Sequence, residues 1–366
     1  MKVIYFTRFE PNSGGHGGNR RLVQILESCP RIEWELVSSE CINVTGLPRK
    51  AANKIRNLWS RATGDLRYWR SDYVQHVVNW RNKARFMRTW PKISPGTSLV
   101  LMDDPVYFAP LIPWIKQNRM KLVAICHNLE SLSGAQVAEG MQFRLFEQEI
   151  KLFCECDMAI TISREESFVL ENFGIRALFF PYFPTTENME RLARIRKKRM
   201  DSAKRNFLLL GTAGNLATRQ GMLEALRIWS AKTASSSEDK LLVAGYSTES
   251  LKNHIDGDGI EFLGELSEKE LDHQLSMTKA CLCFQNQASG ALTRIAEMLV
   301  AGIPVVANEL AARSYYNTDG VNVVANVDFC QESLNRLDLE NQIPPVPDKP
   351  DALTLEENLL QLMQQQ

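Results

Sequence analysis

The stretch CLCFQNQASGALTRIAEMLVAGIPVVAN, residues 281–308, combines the patterns of a strand, a turn, a helix and a second strand. CLCF is a short apolar run typical of a buried parallel strand, and NQASG is rich in turn-forming residues. ALTRIAEMLVA carries apolar residues at the spacing of one helix face, and Gly302 and Pro304 end it before IPVVA restarts a strand. The stretch therefore predicts one β-loop-α-β unit of a parallel sheet.

The loop of such a unit lies at the carboxyl end of its strand, where the next helix presents unpaired N–H groups and the positive end of its dipole. This arrangement binds anions. Arg294 and Glu297 are three residues apart, so they share a face of the predicted helix. Because arginine suits a phosphate and a carboxylate suits a ribose diol, the pair is our candidate for binding both.

The run GALTRIAEMLVAGIPVV, residues 290–306, resembles the donor-binding segment of retaining, sugar-nucleotide-dependent glycosyltransferases (family 4-like) with the GT-B architecture. In that family two glutamates at fixed spacing precede a run like AGIPVV. The resemblance implies that Glu297 is the second of them and holds the ribose hydroxyls. Ser289 stands in place of the first, which usually contacts the donor sugar. The resemblance also implies that the backbone of Gly290, Ala291 and Leu292 faces the diphosphate or sugar. An ordinary helix-strand unit with a surface Arg–Glu pair is the alternative.

Length and composition limit the classes of protein that fit. A chain of 366 residues fits two domains, and 44% hydrophobic with 23% charged residues is globular composition. The eight cysteines include no C-x-x-C pair and the five histidines show no metal-ligand spacing, so we expect reduced thiols and no metal. No apolar run is long enough to span a bilayer, and the N-terminus reads as a strand and not a signal peptide. We expect a cytoplasmic protein.

The start of the chain has the pattern of a strand, a glycine loop and a helix, at residues 2–7, 11–18 and 19–27. Glycines let a backbone approach a ligand closely, although the strict G-x-G-x-x-G spacing is absent. The resemblance implies that Gly14 and Gly15 face the donor diphosphate or the acceptor, with His16 as a weaker candidate. A flexible surface loop is the alternative.

The segment 49–92 is strongly basic, is interleaved with aromatic residues and has a mainly helical pattern. Such helices lie on anionic membrane surfaces or hold phosphate-bearing lipids, which predicts peripheral contact with the inner face of the membrane. A solvated helical face whose aromatic residues form core is the alternative. No stacking motif or helix-turn-helix pattern supports a nucleic-acid partner.

Two further predicted strands end in polar residues. Asp103 and Asp104 follow one of them, and we interpret them as a turn and helix cap in preference to a metal site. His127 follows the other at its carboxyl end, where ligands bind in open α/β sheets. The resemblance implies that His127 orients the donor sugar or the acceptor, and a structural histidine is the alternative.

The second half of the chain restarts with NFLLL at residues 206–210, a glycine turn and a helix, which predicts a second Rossmann-like domain. The resemblance implies that Gly211 and Thr212 contact the donor diphosphate. Thr212 takes the place of an arginine in the family, and Arg219 stands roughly where the family has a lysine. Arg294 is our candidate to supply the missing charge.

Two more residues of this half are candidates for contact with the nucleotide base. Tyr246 follows the predicted strand 240–245, and its ring could stack on a base. Leu263 lies in IEFLG, residues 260–264, which resembles the base-edge strand of the family.

We therefore predict an α/β fold of two Rossmann-like domains facing each other across a cleft. The N-terminal domain, on the acceptor side, covers residues 1–184, and the C-terminal domain, on the donor side, covers residues 206–345. Residues 185–205 form a solvated basic connector. Residues 346–366 form a terminal helix that packs back on the first domain.

The resemblance implies transfer of a sugar from a nucleotide-sugar substrate to an acceptor hydroxyl with retention, without a metal or a cofactor. The acceptor is a glycan, a lipid-linked molecule or a protein, and the catalytic candidates are His127, Arg219, Arg294 and Glu297. Ser289 and Thr212 favour the alternative of a non-catalytic relative that binds a nucleotide, a glycan or a partner subunit. A sugar-nucleotide epimerase is a third interpretation, but the acidic and histidine residues it needs have no obvious place in this sequence.

Overall fold

The computed structural model describes residues 2–12, 17–38, 97–103, 105–133, 142–231, 239–255, 258–287 and 290–365. The chain divides into two compact units. The first unit comprises residues 1–131, 140–180 and 351–366, and the second comprises residues 132–139 and 181–350. The predicted membrane-contact segment 49–92 lies outside the described residues. Within the described residues, no helix has the length and apolar character needed to cross a membrane.

Each unit contains one parallel sheet whose inner strands are almost entirely apolar and buried, as expected for strands covered on both faces. In the described residues the strands are β1 Lys2–Thr7, β2 Glu33–Ser38, β3 Leu99–Met102, β4 Lys121–Cys126, β5 Met158–Thr161, β6 Ala177–Phe179, β7 Phe207–Leu210, β8 Leu241–Ala244, β9 Ile260–Gly264, β10 Ala280–Cys283, β11 Val305–Ala307 and β12 Val321–Val323.

Helices lie between most successive strands whose connections the structure describes, as parallel pairing requires. In the described residues the α-helices are α1 Gly17–Ser28, α2 Pro105–Phe108, α3 Ile112–Gln117, α4 Glu130–Ser133, α5 Gln142–Phe153, α6 Arg164–Asn172, α7 Thr186–Met200, α8 Leu216–Ala231, α9 Glu268–Met277, α10 Thr293–Val300, α11 Glu309–Ala312, α12 Gln331–Leu334 and α13 Ala352–Gln364. Short 3₁₀ helices lie at Ala109–Leu111, Thr248–His254 and Asn326–Asp328.

The strand order of each sheet locates the place where ligands bind in such folds. The first sheet has the order β2-β1-β3-β4-β5-β6, and the second has the order β12-β11-β10-β7-β8-β9. The direction of chain progression reverses between β1 and β3 and between β7 and β10, and ligands bind at the carboxyl ends of the strands beside such a reversal. The predicted α/β fold class with two Rossmann-like sheets is confirmed.

The terminal helix α13 contributes to the core of the first unit. Leu355, Leu359 and Leu362 are buried in the same apolar cluster as residues of α1 and β1. Glu356 on α13 is 1% exposed, and its two carboxylate oxygens accept hydrogen bonds from the backbone N–H and the Nε of Arg31, both at 2.6 Å. The helix is therefore attached by apolar packing and by an ion pair in which the carboxylate is buried and the Arg31 side chain is exposed.

The charge run predicted as a solvated connector forms α7, and the prediction was wrong for Arg199. This side chain is fully buried, and it donates hydrogen bonds to the carbonyls of Gly302 at 3.0 Å, Leu275 at 2.9 Å and Thr278 at 2.6 Å. These carbonyls lie at the carboxyl ends of α9 and α10. The last carbonyls of any helix have no N–H partner within the helix, so they need a donor from elsewhere. Arg199 therefore joins three helices of the second unit, and burial lowers its pKa to about 10, so it stays charged at neutral pH.

Gly221 allows helix α8 to lie against the loop that follows β10. A Cβ atom at this position would lie 2.3 Å from the carbonyl oxygen of Phe284. That oxygen belongs to the backbone, so it cannot move aside as a flexible side chain can. We expect Gly221→Ala to destabilise the second unit by about 1–3 kcal/mol through overpacking, although alanine favours a helix. Urea unfolding of the full chain measures the change.

The control for this prediction is Gln220→Ala, which changes an exposed neighbour in the same helix. This variant tests the effect of alanine on the helix without the contact to the Phe284 carbonyl. We expect its free energy of unfolding to change by no more than about 0.5 kcal/mol. Equal stabilities of the two variants would contradict the packing argument.

Candidate functional site

The carboxyl ends of β7 and β10 lie side by side in the second sheet, at the reversal of strand order. The loop after β7 starts at Gly211, and the loop after β10 leads to α10. Gly211 and Thr212, both predicted donor contacts, therefore lie at this edge. Thr212 is exposed, and Asn215 ends the loop by accepting a hydrogen bond from the Thr218 amide at 3.0 Å, which caps α8.

The loops after β7, β8 and β9 are packed backbone against backbone. Gly245 has φ +123°, and a Cβ there would lie 2.0 Å from the carbonyl oxygen of Gly211. The Ala213 amide donates to the carbonyl of Tyr246 at 2.9 Å, and the Tyr246 ring lies beside Gly214. Because Tyr246 stays 58% exposed, its ring surface is accessible for stacking.

Leu263, the other predicted base contact, is half-buried at the end of β9. Val243 pairs with Phe262 and Ala244 pairs with Gly264, so Leu263 is the extra residue of a β-bulge. A bulge redirects a side chain at the end of a strand, which suits a residue at the edge of a site.

Two residues that the sequence analysis did not single out hold the loop after β10. Asn308, 1% exposed, accepts a hydrogen bond from the Gln285 amide at 3.0 Å and donates to the Gln285 carbonyl at 2.8 Å. Arg313, 7% exposed, donates from Nε to the carbonyl of Gly290 at 2.6 Å, and Gly290 has φ +66°. Both ends of the loop are therefore fixed. The only signal in the sequence was an asparagine directly after a strand.

The described residues at the end of this loop include three predicted donor contacts. Gly290, Ala291 and Leu292 lead into α10, and Leu292 occupies the N-cap position without a side-chain cap. Gln285, at the other end of the loop, is 8% exposed, and its Oε1 has no hydrogen-bond partner among the described residues. An unpaired buried carbonyl of this kind is suited to a hydroxyl donor.

Arg294 connects the two loops at the strand reversal. Its Nη1 donates to the carbonyl of Leu210, the last residue of β7, and lies 3.0 Å from where a Cβ on Gly211 would stand. A guanidinium thus stands beside the glycine turn, where the sequence lacks the arginine expected at Thr212. The position combines a fixed positive charge with the amino end of α10.

Glu297 lies one turn along α10 and is 9% exposed. Its Oε1 accepts a hydrogen bond at 2.8 Å from the hydroxyl of Tyr182, which is itself 2% exposed. Arg294 and Glu297 therefore project from one helix toward different partners, one toward the end of β7 and the other toward Tyr182. The sequence analysis did not identify Tyr182 as a site residue.

Arg219 lies in the first turn of α8, and its Nη2 is 3.1 Å from Nε2 of His254. His254 ends the 3₁₀ helix after β8. The structure thus gives the two predicted cations different partners, since Arg294 contacts the end of β7.

In the first unit, the carboxyl ends of β1, β3 and β4 carry a cluster of polar side chains. Asp103 follows β3 and is 2% exposed. Its Oδ1 accepts a hydrogen bond from the Tyr5 hydroxyl at 2.6 Å and lies 3.2 Å from Nε2 of His127, and its Oδ2 accepts from the Thr7 hydroxyl. The interpretation as a helix cap was wrong for Asp103, since its oxygens are occupied by side chains of β1 and by His127. Asp104, the other residue of that interpretation, lies outside the described residues.

The cluster fixes the orientation of His127. Burial first, and the adjacent Asp103 carboxylate second, raise the pKa of the Tyr5 phenol, so Tyr5 remains a donor. With an acceptor at Nε2, the proton of a neutral imidazole lies on that nitrogen, which leaves Nδ1 as an acceptor. The His127 side chain is 18% exposed, and its ring meets the Phe9 ring edge-on at 5.0 Å. An oriented and partly exposed imidazole suits proton transfer or hydroxyl binding.

Several predicted residues lie outside the described residues: Gly14, Gly15, His16, Ser289 and the segment 49–92. Their roles stay predictions. Within the part of the chain that the structure describes, no group of three or more His, Cys, Asp or Glu residues is placed to hold a metal ion. The cysteines of that part are free thiols.

No protein-family model matches the chain, and no curated protein matches it in sequence. Solved structures do match. Sucrose-phosphate synthase from Thermosynechococcus elongatus has a TM-score of 0.62 at 14% identity, covering 99% of this chain and 94% of that one. The α,α-trehalose 6-phosphate synthase from Burkholderia multivorans has a TM-score of 0.61 at 12% identity, covering 99% and 93%. HepE from Anabaena, solved with UDP-glucose, has a TM-score of 0.62 at 10% identity, covering all of both chains. Likeness at such low identity concerns the fold, and it shows that this chain has the GT-B fold of these glycosyltransferases.

Proposed function

We propose that this protein is a glycosyltransferase that moves a sugar from a nucleotide-sugar donor to an acceptor hydroxyl, with retention of configuration and without a metal. The observation that carries the proposal is Arg294, which stands beside the glycine turn after β7 at the reversal of the second sheet. The GT-B fold supports the same reading, and the structure of HepE with UDP-glucose makes UDP-sugars the first donors to test.

We assign the donor diphosphate to the second unit. Its charge is neutralised by Arg294, the amino end of α10, and the backbone of Gly211, Thr212, and residues 290–292. Because these groups are fixed before the reaction, they stabilise the departing diphosphate without reorganising. Arg219 contributes when it turns from His254 toward the phosphates.

Glu297 and Tyr246 then account for the nucleoside. A carboxylate accepts hydrogen bonds from both hydroxyls of a ribose, and the Tyr182 hydroxyl orients the Glu297 carboxylate. The exposed Tyr246 ring stacks on the base, and Leu263 lies along its edge. The Oε1 of Gln285, which has no partner among the described residues, accepts from a hydroxyl of the donor sugar.

In the first unit, His127 orients the donor sugar or the acceptor, and Asp103 holds the imidazole in place. In the proposed retaining reaction, the leaving phosphate accepts the proton of the acceptor hydroxyl, so a strong protein base is not required. Positioning of the reacting groups supplies much of the remaining rate enhancement. The acceptor is a glycan, a lipid-linked molecule or a protein.

The central test is binding and turnover with panels of nucleoside diphosphates and sugar nucleotides. We expect one nucleoside diphosphate to bind selectively, as measured by calorimetry, and the matching sugar nucleotide to be hydrolysed slowly and transferred when an acceptor is present. Product analysis by NMR reports the anomeric configuration. No selective nucleotide binding in the panel would refute the proposal.

Glu297→Ala is expected to weaken the binding of that nucleotide by about 1–3 kcal/mol, because the ribose hydroxyls lose their acceptor. Calorimetric titration measures the loss. The control is Glu309→Ala, an exposed glutamate that begins α11, which should leave the affinity unchanged. Tyr182→Phe keeps the Glu297 carboxylate and removes only its hydroxyl partner, so this variant should lose less nucleotide affinity than Glu297→Ala. Unchanged affinity in Glu297→Ala would remove Glu297 from the site.

A non-catalytic nucleotide or glycan binder is the second candidate. The uncharged Thr212, where the family resembled here has an arginine, favours it. Tight nucleotide binding without hydrolysis or transfer across the whole panel would support this candidate over the enzyme.

A further inference from the structure

The segment 128–131, directly after His127, is held by two carboxylates through three consecutive backbone amides. Glu166 Oε1 accepts a hydrogen bond from the Leu129 amide at 2.9 Å. Glu149 Oε1 accepts from the Glu130 amide at 2.8 Å, and Glu149 Oε2 accepts from the Ser131 amide at 3.2 Å and from the Ser131 hydroxyl. These contacts fix the start of α4 and therefore the chain that carries His127.

Both carboxylates are buried, and they come from elsewhere in the sequence. Glu149 lies on α5 and is 3% exposed, and Glu166 lies on α6 and is 2% exposed. Two other helices, α6 and α9, are capped by the serine that directly precedes them, Ser163 and Ser267 respectively. Burial of a carboxylate is costly compared with such a cap. Two buried acids under a four-residue helix thus indicate a requirement beyond helix capping.

Glu149 is also set to change its charge near neutral pH. Burial raises its pKa to about 7, against the opposing effect of the hydrogen bonds from Ser131 and Glu130, and the Glu130 carboxylate adds to the rise. Neighbouring elements also carry ionisable side chains: Glu166 on α6 accepts from the adjacent Leu129 amide, and α2, which packs against α5, carries Tyr107. The two oxygens of Glu149 accept from both amides and the hydroxyl fully only as an anion.

We propose that Glu149 is a positioning residue whose carboxylate form fixes the segment 128–131, and through it the imidazole of His127, in the arrangement used for the proposed transfer reaction. Protonation turns one oxygen into a donor. The Ser131 hydroxyl can reverse its bond, but the amides of Glu130 and Ser131 cannot. Hydrogen bonds to a charged acceptor are also about twice as strong as neutral ones. The hydrogen bonds from the segment lower the pKa of Glu149, so opening of the segment with Glu149 still buried on α5 raises that pKa further. The closed segment therefore binds fewer protons than the open one, and it is held more tightly above neutral pH than below it. The activity part of this inference rests on the proposed function.

Hydrogen exchange of the full chain, followed by mass spectrometry at pH 6 and pH 8 and corrected for intrinsic exchange rates, tests the holding of the segment. In the wild type we expect the amides of Leu129, Glu130 and Ser131 to be protected about tenfold more at pH 8. In Glu149→Gln, the protection of these amides should be as low at pH 8 as at pH 6, at the level that the wild type shows at pH 6. Glu147→Gln, at an exposed glutamate on the same helix that pairs with Lys151, should behave like the wild type. Protection that is independent of pH in the wild type would overturn the proposal.

A second variant covers the case in which Glu149→Gln does not fold. Ser131→Ala removes the hydroxyl that lowers the pKa of Glu149, so the change in protection should move to higher pH. An unmoved midpoint would overturn the proposal.

The activity readout is the pH dependence of kcat. In the wild type kcat should fall on the acid side with a midpoint near pH 7, and this fall should be absent in Glu149→Gln, with KM for the donor unchanged. An unchanged acid-side fall in Glu149→Gln would overturn the role in positioning His127. If no sugar nucleotide is turned over, the proposed function fails, and the exchange experiment still decides whether Glu149 holds the segment.

Discussion

Replacing Asp103 with asparagine is expected to lower sugar-transfer turnover by about 10²-fold, the cost of misplacing a residue that orients a substrate. The carboxylate accepts from Tyr5 and faces His127 with one oxygen, and it accepts from Thr7 with the other. An asparagine has a single acceptor oxygen, so its NH₂ group must face at least one of these donors. Steady-state kinetics measure the loss, and nucleotide affinity should be unchanged because the diphosphate contacts are assigned to the second unit.

The matched control is Asp157→Asn. Asp157 is half-buried, and its carboxylate accepts hydrogen bonds from Lys121 Nζ at 3.0 Å and from the Leu122 amide at 2.8 Å. Lys121 and Leu122 lie at the amino end of β4, whereas His127 follows the carboxyl end of that strand. We expect its turnover to stay within about threefold of the wild type. A similar loss in both variants would mean that Asp103 acts through stability alone. Normal turnover in Asp103→Asn would remove the cluster from the mechanism.

Replacing Arg199 with methionine is expected to lower the free energy of unfolding of the second unit by about 3–5 kcal/mol. Methionine retains the apolar part of the arginine side chain but has no hydrogen-bond donor. The buried carbonyls of Gly302, Leu275 and Thr278 therefore lose their partner. Hydrogen exchange against urea concentration measures this, because peptides from the two units report their stabilities separately.

Arg194→Met is the control for this prediction. Arg194 is exposed on the same helix, so the change removes the same charge without burying an unpaired group, and we expect a shift below about 0.5 kcal/mol. Equal losses in the two variants would show that the net charge of α7, and not the bonds of Arg199, stabilises the unit.

The sequence was sufficient to predict the fold because the relevant signals are local. The apolar runs of β10 and β11, the helical spacing of α10 and the glycine between them are patterns within one short stretch, and the structure has each element where the pattern predicts it. The repetition of strand, glycine turn and helix in both halves likewise predicts two parallel sheets. Such patterns depend on neighbours in the chain and need no knowledge of tertiary contacts.

The side-chain partners of the candidate site could not be predicted in the same way. Asp103 is bonded to residues of β1 that are 96 and 98 positions away, and Glu297 is bonded to Tyr182, 115 positions away. Arg199 lies in a run of charges that suggests a solvated helix, yet the helices packed around it bury it. These pairings depend on which strands and helices become neighbours, and a single sequence without that information leaves them open.

The attachment of α13 to the first unit has a consequence for how the protein is made. Leu355, Leu359 and Leu362 complete a core whose other members include β1, the first strand of the chain. During synthesis on the ribosome, all of residues 181–350 leave the exit tunnel before this helix does. The second unit can therefore finish folding while the first still exposes apolar surface, so the part of the protein that is begun first is completed last.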